Sequence, residues 1–346
     1  MSLRTRLLLP LAALAIIATA IITFRPQPVV ADNTVAAAPL VIYAGRSRTL
    51  VEPLVERFKR ETGLEVEVRY GNTPQLALAI QQEGRRTPAD VFWAQDTGPL
   101  QMLSETGAFA ELPADLYSRI PDVFKTADRT WVATSGRART LVYSPTRVSA
   151  AELPKSVYDL TNPKWKGRIG WAPTNASFQA FITAMRAEHG EARARQWLTG
   201  MIANEPKAYP RNTPIVQAVA AGEVDLGLPN HYYLIGLKKE NPALAAEQTF
   251  FADGDIGNLV FVAGAAVLNT SPRQAEALRF LRFLLTAESQ QYFTNDVSEY
   301  PVTTDVPAAP GLVAPEALSR AAPRVPMRSM NDLEGTLKLL RELGLL

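Results

Sequence analysis

From Pro39 onward the chain changes its hydrophobic period every ten to fifteen residues, and few folds accept that rhythm. "LVIYAG" is a short apolar run that stops at Gly45, as a buried strand does. "TLVEPLVERFKRETG" then sets Leu50, Leu54, Val55 and Phe58 at helical spacing, with Thr49 and Glu52 placed as a capping box and Gly63 as a C-terminal stop. "LEVEVRY" alternates with period two, "TPQLALAIQQEG" is helical, "ADVFWAQ" is a buried strand and "TGPLQMLSETGAF" is another helix. A β-α-β-α-β-α run of this kind calls for a parallel sheet covered by helices on both faces.

After Trp131 the pattern changes. "WVATSGRARTLVYSP" reads as a strand leaving the first unit, and Pro145 to Lys166 reads as loop. A second alternation follows: strand "RIGWA", a helix from Ser177 to Glu188, helix "EARARQWLTGMIAN", strand "PKAYP", helix "TPIVQAVAAG", strand "VDLGLP" and a helix beginning near Tyr232. "NLVFVAGAAVLN" is a long apolar return strand. "SPRQAEALRFLRFLL" is a helix with Ser271 as N-cap, Pro272 at N1 and Gln274 at N3. "MNDLEGTLKLLRELGLL" closes the chain as an amphipathic helix. The expectation is an α/β protein of two lobes, each a mixed sheet flanked by helices, joined by two crossing strands. The crossings are placed near Ser135–Arg139 and Val260–Gly264, with residues 39–136 and 263–313 in lobe 1 and 137–262 and 314–346 in lobe 2.

The N-terminus carries Arg4 and Arg6, then an apolar run from Leu7 to Ile22 and a small residue at Ala31. Residues 1–31 therefore read as a secretory signal peptide, with an uncleaved single-helix anchor as the alternative. The whole chain has 36 Lys+Arg against 34 Asp+Glu, and without this leader 33 against 34, so charge gives no support to nucleic-acid binding. The absence of cysteine excludes disulfides, thiolate metal sites and a lipid-bearing cysteine. Enzymatic patterns fare poorly as well. No Gly-x-Ser-x-Gly turn, phosphate loop or Gly-x-Gly-x-x-Gly motif occurs, and the chain has two histidines. Asp90 and Asp225 read as loop anchors rather than as an acid/base pair.

In open α/β sheets ligands sit at the carboxyl ends of strands, facing helix N-termini. That rule collects Gly45-Arg46-Ser47, then Gln95 and Asp96, then Asn175-Ala176-Ser177, then Asn212, and finally Asn230, His231, Tyr232 and Tyr233. Asn175 and Asn230 suit N-cap positions, leaving free N–H groups to face the cleft. The set suits an anion or a metal–anion pair. An adjacent tyrosine pair is ordinarily half core and half surface. If Asn230 caps its helix, however, both phenols lie in the first turn and reach the same place. Two phenolates are hard anionic donors suited to a small trivalent cation such as Fe(III), and poor ligands for Zn or Cu(I).

With these residues in view, "YAGRSRTLVEPLVERFKRETG", "TPADVFWAQD", "GRARTLVYSP", "YDLTNPKWKGRIGWAPTNASFQAFITAMR", "NTPIVQAVAAGEVDLGLPNHYYL" and "DLEGTLKLLRELGLL" resemble the periplasmic ferric-ion-binding proteins of bacterial ABC importers. The resemblance runs from about Leu40 to Leu346 and is most specific in Asn-x-Tyr-Tyr and Pro-Thr-Asn-Ala-Ser-Phe. It implies a two-lobed solute-binding clamshell, Fe(III) held by Tyr232 and Tyr233, and an anion-holding loop at Asn175, Ala176 and Ser177. It also implies cleft asparagines at Asn212 and Asn230, and an arginine for carbonate at Arg137 or Arg139. The departures from the family lie at Ser47, where some members carry an iron-ligating His, and at Gln95, where they carry a ligating Glu. A third Tyr of other members falls near Ser177. Two phenolates leave Fe(III) with one positive charge, so an exogenous anion (carbonate, phosphate or citrate) or water completes the sphere. Arg46 and Arg137 are expected to attract it.

The first expectation is thus a monomeric, exported, non-enzymatic receptor that delivers Fe(III) to a membrane ABC permease. The second is a receptor for a small anion, a phosphonate or carboxylate, with the tyrosines as hydrogen-bond donors. An exported enzyme using the same cleft ranks last.

Overall fold

The structure is a computed structural model and describes residues 38–125, 129–325, 330 and 332–346. The expected leader, residues 1–31, lies outside the described residues.

The first sheet has the order β2-β1-β3-β10-β4. Its strands are β1 (Leu40–Ala44), β2 (Val66–Tyr70), β3 (Val91–Ala94), β4 (Val132–Ala138) and β10 (Val260–Val267). β1 runs parallel to β2, with Leu40 opposite Val66, and parallel to β3, with Ile42 opposite Val91. β10 enters antiparallel between β3 and β4. Every residue of β3 and β4 is buried, as central strands covered on both faces require. The covering helices are α1 (Arg48–Thr62), α2 (Thr73–Glu83), α3 (Thr97–Glu105), α8 (Gln274–Leu284) and α9 (Ala287–Asn295). α1 buries Val51, Leu54, Val55 and Phe58 and stops at Gly63, whose φ of 69° is the left-handed turn that glycine adopts without strain. Phe58 meets Phe280 edge-on at 5.0 Å, and Trp93 meets Phe280 at 5.7 Å, in one aromatic core.

The second sheet has the order β7-β6-β8-β5-β9. It consists of β5 (Leu141–Tyr143), β6 (Ile169–Trp171), β7 (Lys207–Ala208), β8 (Leu226–Gly227) and β9 (Glu247–Thr249). β6 is parallel to β7 and β8, and β5 is antiparallel to β8 and β9. Around it stand α4 (Ala176–His189), α5 (Glu191–Ala203), α6 (Asn212–Ala221), α7 (His231–Glu240) and α11 (Leu333–Glu342), while α10 (Pro315–Ala321) buries Leu318 in the first core. Phe178, Phe181 and Trp197 form a second aromatic core, and α11 meets α4 through a Thr183–Thr336 hydroxyl contact of 2.8 Å. The two mixed sheets flanked by helices are the fold class that the alternation of periods calls for.

Some local expectations give way. α1 starts at Arg48 with Ser47 in the cap position and no side-chain cap, so Thr49 and Glu52 form no capping box; Glu52 instead takes Arg48 and the hydroxyl of Tyr70. α8 starts at Gln274, not Pro272; Ser271 accepts the Arg273 N–H at 2.9 Å as the expected cap would, while donating its hydroxyl to the buried Asp90 at 2.6 Å. The stretch 145–166 carries three short 3-10 turns rather than open loop. β10 lies wholly in the first sheet, so the second passage between sheets is made by residues 250–259, after β9.

Candidate functional site

The tyrosine pair opens α7. Asn230 is the cap residue, with extended φ and ψ of −88° and 155°, and Tyr232 and Tyr233 follow in the first turn. Their rings lie 4.3 Å apart, tilted by 34°, and the Tyr232 hydroxyl donates to that of Tyr233 at 3.1 Å. A helix turns consecutive residues about 100° apart, yet here both phenol oxygens converge. Two neighbouring ligands on an octahedral ion with metal–oxygen distances of 2.0–2.1 Å stand about 2.9 Å apart. The pair is therefore already close to the bite of a small, hard cation. Burial raises the Tyr232 phenol above its ordinary range, and Tyr233 adds to the shift while Arg137 opposes it.

Arginines surround the pair. Arg137, next to last in β4, is 1% exposed and donates to the backbone oxygen of Gln95 and to Asp96 at 2.8 Å. Burial alone would lower its pKa, but Asp96, Tyr232 and Glu299 together hold it above the ordinary value. Arg139, also 1% exposed, lies in the two-residue link between β4 and β5. It donates to the Leu228 carbonyl, reaches Ser177 Oγ at 3.5 Å and stacks over Phe181 at 5.0 Å. Among the described residues it has no carboxylate partner, and burial pushes it down to about 9 against the pull of Tyr232 and Tyr233.

Asn175 caps α4, accepting from Ser177 N–H at 3.0 Å and from the Ser177 hydroxyl at 2.7 Å. Asn212 donates to Ser177 Oγ at 3.2 Å and keeps its own oxygen, buried, without a partner among the described residues. Asn230 is fully buried and neither atom of its amide is paired, so it occupies the cap position without acting as a cap. Orphaned buried amides are costly. Two of them beside two phenols and an uncompensated guanidinium form a donor set suited to a polar ligand. A cavity of about 540 Å³ borders the site, walled by Gln95 and Asp96 across from Thr174, Ala176 and Gln179. The tyrosines are not among its walls.

Two of the sequence-selected residues sit differently from the rest. Ser47 is exposed and bonds Thr49. Arg46 is 2% exposed and pairs with Glu299 at 2.8 Å, a carboxylate that also takes the Ser135 hydroxyl. Burial pushes Glu299 upward, but Arg46 and Arg137 outweigh it and hold the carboxyl below its ordinary range. Glu299 is the residue that sequence reasoning missed, and no local signal marks it. Among the described residues no cluster of three His, Cys, Asp or Glu side chains is placed to hold a metal ion. Asp90 and Asp225 are anchors: the first accepts from Val41 N–H and Ser271, the second from Arg147 and Arg168.

Comparison with known proteins agrees with this architecture. The chain is 35% identical over 316 residues to the major ferric iron-binding protein of Neisseria meningitidis serogroup B, covering 90% of this chain and 95% of that one. It is 32% identical to the Fe(3+)-binding periplasmic protein of Serratia marcescens across the full length of both. The crystal structure of iron-bound HitA from Pseudomonas aeruginosa superposes with a TM-score of 0.81 at 33% identity, covering 89% of this chain and 99% of that one. Residues 53–320 match the family described as bacterial extracellular solute-binding protein, and with a two-lobed fold and a polar cleft of this kind the chain belongs to that family.

Proposed function

We propose that this protein is an extracytoplasmic receptor for Fe(III), capturing the ion between its lobes through the phenolates of Tyr232 and Tyr233. The observation that carries the reading is the 3.1 Å separation of the two phenol oxygens at the start of α7. An exogenous anion completes the coordination sphere. Arg139, buried and without a carboxylate partner among the described residues, is better placed to hold that anion than Arg137, which Asp96 engages. Asn175, Ser177, Asn212 and Asn230 supply hydrogen bonds around it. Carbonate, phosphate or citrate each fits this donor set.

The lobes are taken as residues 39–138 and 260–313, and 139–259 and 314–346, which moves the expected cuts at 136/137 and 262/263 to keep β4 and β10 whole in the first sheet, with the cargo between them. The relatives' names, ferric iron-binding and periplasmic, support both the cargo and the compartment. As a monomer, the receptor would close on iron and dock to an ABC permease, which then takes the ion.

Ferric phenolate absorbs visible light, so adding Fe(III) with carbonate should produce a coloured, stoichiometric complex. Tyr232→Phe or Tyr233→Phe should remove most of the band and the affinity while leaving the thermal stability of the metal-free protein nearly unchanged. A colourless protein that binds phosphonates or carboxylates would establish the anion-receptor alternative instead.

A further inference from the structure

His231 stands between the cap residue Asn230 and the first tyrosine, and the iron site proposed above makes no direct use of it. Its side chain is 1% exposed. Nε2 lies 2.9 Å from the Ser298 carbonyl oxygen, which can only accept, so Nε2 carries the hydrogen. Nδ1 is then bare and takes the N–H of Ala138, the last residue of β4, at 3.1 Å. With the hydrogen on Nε2, this tautomer serves both the Ser298 carbonyl and the Ala138 N–H, while the Ala138 carbonyl, 3.2 Å from Nδ1, receives no hydrogen from the ring.

The partners of His231 are themselves fixed. Ser298 has a φ of 62°, a left-handed conformation that a non-glycine residue keeps only where its surroundings impose it. Glu299 is bonded to Arg46 and to Ser135 of β4. Tyr300 exchanges two backbone hydrogen bonds of 2.8 Å with Gly136 of β4. The imidazole therefore bonds the strand and a segment welded to that strand. Its ring packs against Tyr300 at 4.6 Å and meets the ring of Tyr232 edge-on at 5.5 Å. The start of α7 is also held by backbone: Asn230 forms an isolated antiparallel bridge with Arg139, and Thr140 N–H bonds the Pro229 carbonyl. The Asn230 side chain makes no cap bond, so His231 is the side chain that ties this turn.

We propose that His231 is the positioning residue of the tyrosine pair, locking the first turn of α7 to β4 and to residues 298–300 so that both phenol oxygens stand at ligand spacing before the metal arrives. The proposal rests on Tyr232 and Tyr233 being the iron ligands. Side chains that orient metal ligands from behind are typically worth about 10–100-fold in metal affinity.

The test compares His231→Leu, which loses both hydrogen bonds, with His231→Gln and His231→Asn, whose amides each offer a donor and an acceptor. Each is titrated with Fe(III) and carbonate, reading the Kd and the position of the visible band, beside thermal unfolding of the metal-free protein. His231→Leu should weaken binding by about 10–100-fold and move the band, and at least one amide variant should recover most of both. If His231→Leu does not fold, the proposal stands on the amide variants. One of them must then retain the wild-type band, while the other shows a shifted band and a raised Kd. Variants that melt earlier yet keep the wild-type Kd and band would reduce His231 to a packing residue and overturn the proposal. No band in the wild-type protein would overturn the tyrosine reading itself, and the positioning role with it.

Discussion

Arg46 and Glu299 are each about 2% exposed and lie 2.8 Å apart, so each is the other's chief compensation for leaving water. Replacing one member of such a pair strands a buried charge, at a cost of about 3–5 kcal/mol. Arg46→Ala should therefore lower the denaturant-derived stability of the metal-free protein by that order. A residue whose only task is to hold an exogenous anion would leave apo stability unchanged. The pair also sets an acid limit. The Glu299 pKa in the folded state is below its unfolded value, so its contribution is present above the ordinary carboxylate range, near 4.3, and is lost as pH falls through the folded value. Glu299→Gln should accordingly flatten part of the acid branch of the stability curve. At this scale the sequence tells the two halves of the site apart unequally. The tyrosine pair is legible because its partners are neighbours in the chain. The role of Arg46 is not, because its carboxylate lies 253 residues away and no spacing rule reaches that far.

Among the elements, β4 shows what a glycine can be for when its backbone angles are ordinary. A Cβ on Gly136 would stand 2.7 Å from the Phe124 ring and 3.1 Å from Tyr300 Cβ, at the point where β4 and Tyr300 exchange backbone bonds. Gly136→Ala should cost about 1–3 kcal/mol by overpacking, read as a lowered denaturation midpoint with an unchanged slope. Strong apolar periods mark β1, β3, α1 and β10, and these are the elements that a sequence pattern locates. α9 escapes because its buried face is Ser289, Gln290, Phe293 and Thr294, mostly polar and satisfied by hydrogen bonds rather than by apolar contact. β9 escapes for a related reason. Glu247-Gln248-Thr249 carries no apolar alternation and is a strand because β5 offers it an edge. Ser271, ahead of α8, serves both levels at once, accepting the Arg273 N–H locally and donating its hydroxyl to Asp90.

For the whole molecule, the charges gathered around the phenols decide when cargo can be held. Arg46, Arg137 and Arg139 face Glu299 and Asp96, leaving one positive charge in excess while the tyrosines are protonated. That excess favours both phenolates and an anion. It does not ionise the phenols unaided, because burial keeps Tyr232 above its ordinary pKa. If Tyr232 and Tyr233 are the ligands, the metal must displace their protons, so binding releases them and weakens as pH falls. If both phenols ionise on binding, the apparent Kd should rise by about 100-fold for each pH unit below neutrality, and by about 10-fold if only one does. Between pH 7 and 5 Glu299 stays ionised, since Arg46 and Arg137 hold its carboxyl low. Opening of the lobes would then release iron over a narrow acidic window. Titrating the visible band against a competing chelator, corrected for that chelator's own protonation, gives the slope directly. A slope of two protons per ion, after subtracting any proton released by the bound anion, would establish both tyrosinates as ligands. A slope near zero, with the band surviving well into acid, would mean that the metal is held by groups other than this pair.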